Sequence, residues 1–183
     1  MRSIILVEPE IPENTGFIAR LCSNFSFDLR LVNPGFNIAE CRSTAQNSQE
    51  VLRNARIFDS VDEAIYDLDN VIGTKPGKGV KSKDFQFRAN SSIMLGRESS
   101  GLTNSELEKC DSIIHIDTPG YQSLNLSHAA GILMHQSYDA EGKNVDTDRL
   151  DTVESKAGKN LRELLARSSP TKSELDKVLS ELV

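Results

Sequence analysis

The chain has 183 residues, 38% of them apolar and 26% charged, with a formal net charge of −6. It is long enough to bury a core, and no apolar run approaches the thickness of a bilayer. Three cysteines, Cys22, Cys41 and Cys110, are odd in number and widely spaced, which excludes a disulfide framework or a cysteine-based zinc site and points to free thiols in a cytoplasmic protein.

The N-terminal run Met1 to Glu8 is strand-like, too short for a signal segment and without a small-residue cleavage site. Residues 3–8 are nearly all apolar, as in a parallel strand covered on both faces. Pro9 and Pro12 end it. Asn14 then reads as the N-cap of a helix whose Ile18, Leu21, Cys22 and Phe25 share one face. Residues 28–32 form a second strand, stopped by Asn33-Pro34-Gly35. Residues 38–54 read as helical and 56–58 as a third strand. Ser60 and Glu63 make a capping box for a short helix to about Asp67, and residues 70–73 are a fourth strand.

Between Gly73 and Arg88 lie Lys75, Lys78, Lys81, Lys83 and Arg88 against the single acid Asp84, a local charge of +4 that leaves −10 on the rest. Gly77 and Gly79 predict a mobile loop. A basic loop on an acidic body can bind nucleic acid, because phosphate contacts are local; the same composition also describes a solvated surface loop.

Residues 91–95 are a fifth strand and Gly96 to Leu102 a tight loop. Thr103 and Glu106 form a second capping box, opening a helix to about Lys109. Residues 112–116 are a sixth strand. Asp117 to Ser123 is a loop, and a helix with Leu126, Ala129, Ala130 and Leu133 on one face runs to about Ala140. This alternation predicts an α/β domain over residues 1–140, with a mainly parallel six-stranded sheet flanked by helices. Residues 141–151 are linker-like. Residues 152–183 form a short helical C-terminal tail in two pieces, 152–167 and 172–182, with a capping box at Thr171 and Glu174 and a stripe of Leu175, Val178, Leu179 and Leu182. Such a tail must dock on the domain or on a second chain.

Three short polar stretches stand at strand-to-helix or strand-to-loop junctions. Asn14 to Arg20 starts beyond the end of the first strand, where ligands bind in open α/β sheets. Arg20 lies about 9 Å along the helix, and its side chain leans back toward the entrance. Gly96-Arg97-Glu98-Ser99-Ser100-Gly101-Leu102 is neither a P-loop nor a dinucleotide fingerprint; its glycines mark a bend in which backbone approaches a ligand or another segment, with Glu98 inside it. Ser123, Asn125 and Ser127 crowd the entrance of the last helix, where free N–H groups and partial positive charge gather. Taken singly, each is also an ordinary cap or turn. His115, His128 and His135 show no metal-site spacing, and no nucleophile elbow or Cys/His pairing suggests a hydrolase.

Together the three stretches resemble the SPOUT class of RNA methyltransferases, in its TrmH/SpoU-like 2′-O-ribose branch: N-x-G-x-x-A-R at Asn14 to Arg20, G-R-E-x-x-G-L at Gly96 to Leu102, and S-L-N-L-S-x-A at Ser123 to Ala129. Leu31-Val32-Asn33-Pro34, Asn54-Ala55-Arg56, Gly73-Thr74, Leu102-Thr103-Asn104 and Ile116-Asp117-Thr118 are similar to TrmJ-type tRNA enzymes. The resemblance implies a C-terminal trefoil knot, an exception to the rule against knots, and a homodimer with the active site at its interface. It implies S-adenosyl-L-methionine held by Thr74, Lys75, Pro76, Gly96, Ile116, Ser123, Leu124 and Asn125, and no metal. It implies methyl transfer to a ribose 2′-OH of RNA, most simply tRNA at an anticodon-loop position such as nucleotide 32. Ribosomal RNA as substrate, or an inactive cofactor- and RNA-binding module, are the alternatives. Arg20 is the implied catalytic residue, positioned with Asn14, Glu98, Ser123 and Asn125, and RNA contacts fall to Arg20, Lys75, Lys78, Lys81, Lys83, Arg88 and Arg97. One departure stands out: after Gly-Thr, TrmJ-type chains carry a small residue and an arginine, where this chain has Lys75-Pro76-Gly77-Lys78.

Overall fold

The computed structural model describes residues 2–88, 90–144, 147–161, 165 and 172–181. Its sheet has seven strands: β1 Ser3–Val7, β2 Asp28–Val32, β3 Arg56–Phe58, β4 Asn70–Thr74, β5 Val80–Lys81, β6 Ser91–Leu95 and β7 Ser112–His115. They lie in the order β3-β2-β1-β6-β4-β7-β5, and every pairing is parallel. The six expected strands are therefore joined by a seventh. β5 falls inside the basic loop, pairs with β7 through Val80 and Lys81 only, and is too short to show a period. The loop's glycines serve close approach: at Gly79, φ is +80° and a Cβ would stand 2.0 Å from the Ile113 carbonyl oxygen.

The α-helices with both ends among the described residues are α1 Pro12–Phe25, α2 Arg42–Ala45, α3 Gln49–Asn54, α4 Val61–Ile65, α5 Asn104–Leu107, α6 Leu126–Asn144, α7 Thr147–Ala157 and α8 Lys172–Glu181. The helix expected over 38–54 is broken into 3-10 turns at Ile38–Cys41 and Gln46–Ser48 around α2 and α3, with Gln46 at φ +40°. Ser43, Thr44, Asn47 and Ser48 are poor interior residues, since short polar side chains compete for the backbone. This segment packs on α1 at backbone distance: a Cβ on Gly16 would lie 1.9 Å from Thr44 Oγ1 and 2.5 Å from the Cys41 oxygen. α6 continues four residues past Ala140, and α7 begins inside the stretch read as a linker. Gly158, at φ +87°, follows the end of α7. Thr171 and Leu182, and the side chains of Glu174 and Leu175, lie outside the described residues.

The sheet belongs to one compact unit, Met1–Phe85 with Asn90–Gln136; a second comprises Gln86–Ala89 and Ser137–Val183. On one face of the sheet Ile5, Val7, Val32, Val71 and Met94 pack with Val61, Ala64, Leu102 and Leu107. The alternate residues Ile4, Leu6, Leu31, Ile93 and Leu95 are buried as well, so both faces are covered and the strands read as continuous apolar runs. No helix among the described residues is long and apolar enough to cross a membrane. Burial pushes the Cys41 thiol up to about 11 and the Cys110 thiol up to about 12, which makes both poor nucleophiles.

β2 contains a charged residue that its apolar pattern hides. Arg30 is 0% exposed. Its Nε donates to Ser3 Oγ at 3.0 Å, its Nη1 to the Ala64 oxygen at 2.7 Å, and its guanidinium pairs with the half-exposed Asp67. Hydrogen bonds from Arg30 hold the Asp67 carboxyl well below the usual range. A depressed folded pKa contributes stability that is complete above the unfolded carboxylate pKa of about 4 and is lost as pH falls toward the folded value. Asp67→Asn should therefore lower stability at pH 7 by about 1 kcal/mol, since solvent screens the half-exposed carboxylate. Denaturant titrations of both proteins should converge progressively as the pH falls from about 4 toward the depressed folded value, where Asp67 becomes neutral in the folded protein as well.

Candidate active site

Because all strands run the same way, the loops leaving β1, β4, β6 and β7 emerge on one edge of the sheet. These strands are neighbours, and the chain turns outward in opposite directions from β1 and β6. That is the switch point at which open α/β sheets bind ligands. A cleft of about 480 Å³ opens there, lined by Asn14, by Thr74 to Pro76, by Leu95 to Gly101, by Ile114 to Ile116 and by Gln122 to Leu126. The size and the mix of apolar walls with a few polar groups suit a cofactor-sized ligand.

Asn14 is not the cap of α1. The N-cap is Ile11, Pro12 occupies the first turn, and proline there removes an N–H that would otherwise need a partner. The cap arrives from another loop. The Glu98 carboxylate accepts from the N–H groups of Glu10 at 2.8 Å and Ile11 at 3.3 Å, placing a negative charge at the positive end of the helix. Asn14, 4% exposed, is thereby released for a different task. Its Nδ2 donates to Glu98 Oε1 at 3.0 Å, and its Oδ1 accepts from Asn125 Nδ2 at 3.0 Å. Asn125 does cap its helix: its Oδ1 accepts from the N–H of Ser127 at 2.9 Å and from Ser127 Oγ at 2.7 Å. One hydrogen-bond chain thus joins the three polar stretches.

The Gly96–Leu102 loop closes on itself. Gly101 N–H donates to the Arg97 oxygen at 2.8 Å, and a Cβ on Gly96 would meet the Gly101 carbonyl carbon at 2.2 Å. The guanidinium of Arg97, one of the residues assigned to RNA contact by the resemblance, bonds Glu8 at 2.8 Å and both oxygens of Glu106 at 3.1 and 3.0 Å, with 16% of the side chain exposed. Burial alone raises the Glu106 carboxyl, but Arg97 and Thr103 outweigh it and hold it below the usual range. Glu10 accepts from Ser99 N–H and Oγ, both at 2.8 Å, and these bonds lower its carboxyl too. The β1 and β6 loops therefore exchange carboxylates in both directions. Glu8, Glu10 and Ser99 were missed in the sequence, where the only sign of them is two acids spaced by two just after a strand.

Of the residues read as a cofactor site, Thr74, Lys75, Pro76, Gly96, Ile116, Ser123, Leu124 and Asn125 all line the one cleft. Thr74 Oγ1 donates to the Met94 oxygen at 3.1 Å. Lys75, at the point of departure from the TrmJ-type pattern, sends Nζ to the Leu102 oxygen at 2.8 Å, bracing the neighbouring loop. Arg20 does not line this cleft. It is exposed on α1, in an adjoining groove of about 620 Å³ with Phe17, Leu21, His128 and Ile132, and makes no hydrogen bond or ion pair among the described residues. Asn14 and Asn125 border both spaces. Of the other expected RNA contacts, Lys78 reaches Asn104 Oδ1 at 3.5 Å, and Lys81 and Lys83 both pair with Asp117, at 2.9 and 3.5 Å. Arg88 belongs to the second compact unit.

The profile of the SpoU rRNA Methylase family matches residues 1–135. The chain is 36% identical to the tRNA (cytidine-2'-O-)-methyltransferase TrmJ of Methanocaldococcus jannaschii, over 91% of this chain and 79% of that protein. A solved structure described as structural insights into the 2-OH methylation of C/U34 on tRNA superposes with a TM-score of 0.71 at 26% identity, covering 76% of this chain and 95% of that one. The SpoU methyltransferase AviRb of Streptomyces viridochromogenes, in complex with AdoMet, superposes with a TM-score of 0.67 at 20% identity, covering 75% and 59%, a likeness of fold.

The Asn14 junction makes a sharp prediction. Asn14→Asp replaces the amide nitrogen facing Glu98 by an oxygen of the same size, setting two carboxylates at hydrogen-bond distance. Stability at pH 7 should fall by about 2 kcal/mol. Denaturant melts of the two proteins at pH 7 measure the effect.

Proposed function

The chain belongs to the SpoU rRNA Methylase family, and on that premise we propose that it transfers a methyl group from S-adenosyl-L-methionine to a ribose 2′-hydroxyl of tRNA. The relative most directly in support is named a tRNA (cytidine-2'-O-)-methyltransferase. The observation that carries the reading is the shared border of two spaces: Asn14 and Asn125 stand between the cleft and the groove that holds Arg20. A donor on one side and a sugar on the other would meet across these two amides.

The cleft suits the donor in size and lining. Ile116, Leu124 and Pro76 offer apolar surface to a purine, and Thr74, Lys75, Gly96, Ser123 and Asn125 bring backbone and small polar groups. When bound, the cofactor supplies an already electrophilic methyl group, so the protein's work is alignment and help with one proton. Arg20 remains protonated and is a poor base. It would bind the substrate phosphate and orient the 2′-hydroxyl, which gives up its proton to that phosphate or to water as the oxygen takes the methyl group. Asn14, Glu98, Ser123 and Asn125 would hold the sugar and the guanidinium in place. A 2′-hydroxyl target also selects RNA over DNA. Lys75, Lys78, Lys81, Lys83 and Arg88 would supply the electrostatic attraction; Arg97 is left out because its fork is spent on Glu8 and Glu106.

Four finer features belong to the same proposal. The first is a homodimer completed across the Arg20 groove, supported by the exposed Phe17 and Ile132 there. The second is a trefoil knot, for which three loops gathered round one cleft are the support. The third is residues 1–140 as the catalytic domain, with a linker and a tail that docks. The fourth is a cytoplasmic tRNA substrate modified in the anticodon loop, nucleotide 32 being the first candidate.

Arg20→Ala should lower transfer of radiolabelled methyl groups to unmodified tRNA at least about 100-fold, with S-adenosylmethionine binding by calorimetry unchanged. Equal loss of both would reassign Arg20 to a structural role.

A further inference from the structure

We infer that Tyr121 is a stacking platform for a nucleobase of the RNA substrate, an inference that rests on the tRNA methyltransferase reading above. Tyr121 is 86% exposed. The loop that carries it is not slack: Thr118 Oγ1 donates to the Tyr121 oxygen at 3.0 Å, closing a turn over Pro119 and Gly120. The residues that follow at once, Gln122 and Ser123, line the cleft. Two residues of extended chain span at most about 7 Å, so Tyr121 is carried beside the mouth of the site.

Its surroundings name the occupant. Asp117, four residues before it, is paired with Lys81 and Lys83. The adjacent loop approaches the same segment closely, since a Cβ on Gly77 would lie 2.9 Å from Gln122 Oε1. An exposed aromatic residue near exposed cations fits a ligand that alternates flat π faces with phosphates, which describes an unpaired stretch of RNA. Stacking tolerates any base, so this contact would add affinity without choosing the sequence. The chain holds an internal control. Tyr66 is 89% exposed, but it stands just before β4 begins at Asn70, at the opposite edge of the sheet from the cleft.

The test is equilibrium binding and methylation of unmodified tRNA, transcribed in vitro, by the full chain and three variants. Tyr121→Ala should weaken tRNA binding about tenfold and raise KM for tRNA with kcat retained. Tyr121→Phe and Tyr66→Ala should match the unaltered protein, and S-adenosylmethionine affinity should be the same in all four. Three results would overturn the role: Tyr121→Ala binding tRNA normally, Tyr121→Phe losing as much as Tyr121→Ala, or cofactor affinity falling in step. Failure of the unaltered protein to bind or methylate tRNA would remove the underlying reading instead.

Discussion

The site depends on a hydrogen-bond chain that can be written in only one direction. Glu98 as a carboxylate can only accept, so Asn14 must turn its nitrogen toward it. The backbone N–H of Ser127 can only donate, so Asn125 must turn its oxygen toward that. The remaining nitrogen of Asn125 and oxygen of Asn14 then face each other. Both amides are fixed from the outside inward, and reversing either one puts like against like at both of its contacts. Residues 14, 98 and 125, far apart along the chain, are held in one orientation by hydrogen bonds between their own side chains.

Around this chain the loops are braced by charge rather than by apolar packing. Glu98 caps the helix that bears Asn14, Glu10 returns the favour to Ser99, and Arg97 ties Glu8 to Glu106. Most of these groups are partly exposed, where an ion pair contributes about 0–1 kcal/mol. Their value lies in position more than in stability. Glu8 even sits at φ +46°, a left-handed conformation that costs about 1–2 kcal/mol for a non-glycine residue. The sheet core beneath absorbs that cost, which is the usual division between a rigid scaffold and the loops it presents.

Six strands, their parallel order of α and β, and the three polar stretches were all legible, because buried parallel strands are continuous apolar runs and junctions collect small polar residues. What escaped was set by contacts between distant segments. Asn14 has the side chain of a cap, and only the arrival of Glu98 at the helix start frees it. Arg97 sits in a loop with no neighbouring acid in its own motif except Glu98, and its partners come from residues 8 and 106. Arg30 interrupts an apolar strand and is satisfied by Ser3, Ala64 and Asp67, three separate places in the chain. β5 is two residues long. In each case the local sequence states what a residue is able to do, and the tertiary partner decides which option is taken.

The claim on which everything else rests is that the segments after β4, β6 and β7 form one binding cleft with the entrance of α1. Amide hydrogen exchange with and without S-adenosylmethionine tests it directly. The account predicts protection on ligand addition in residues 74–79, 95–102 and 114–129 together, with the strands' far ends and α4 unaffected. Protection in only one of these segments, or at a place remote from all three, would contradict it.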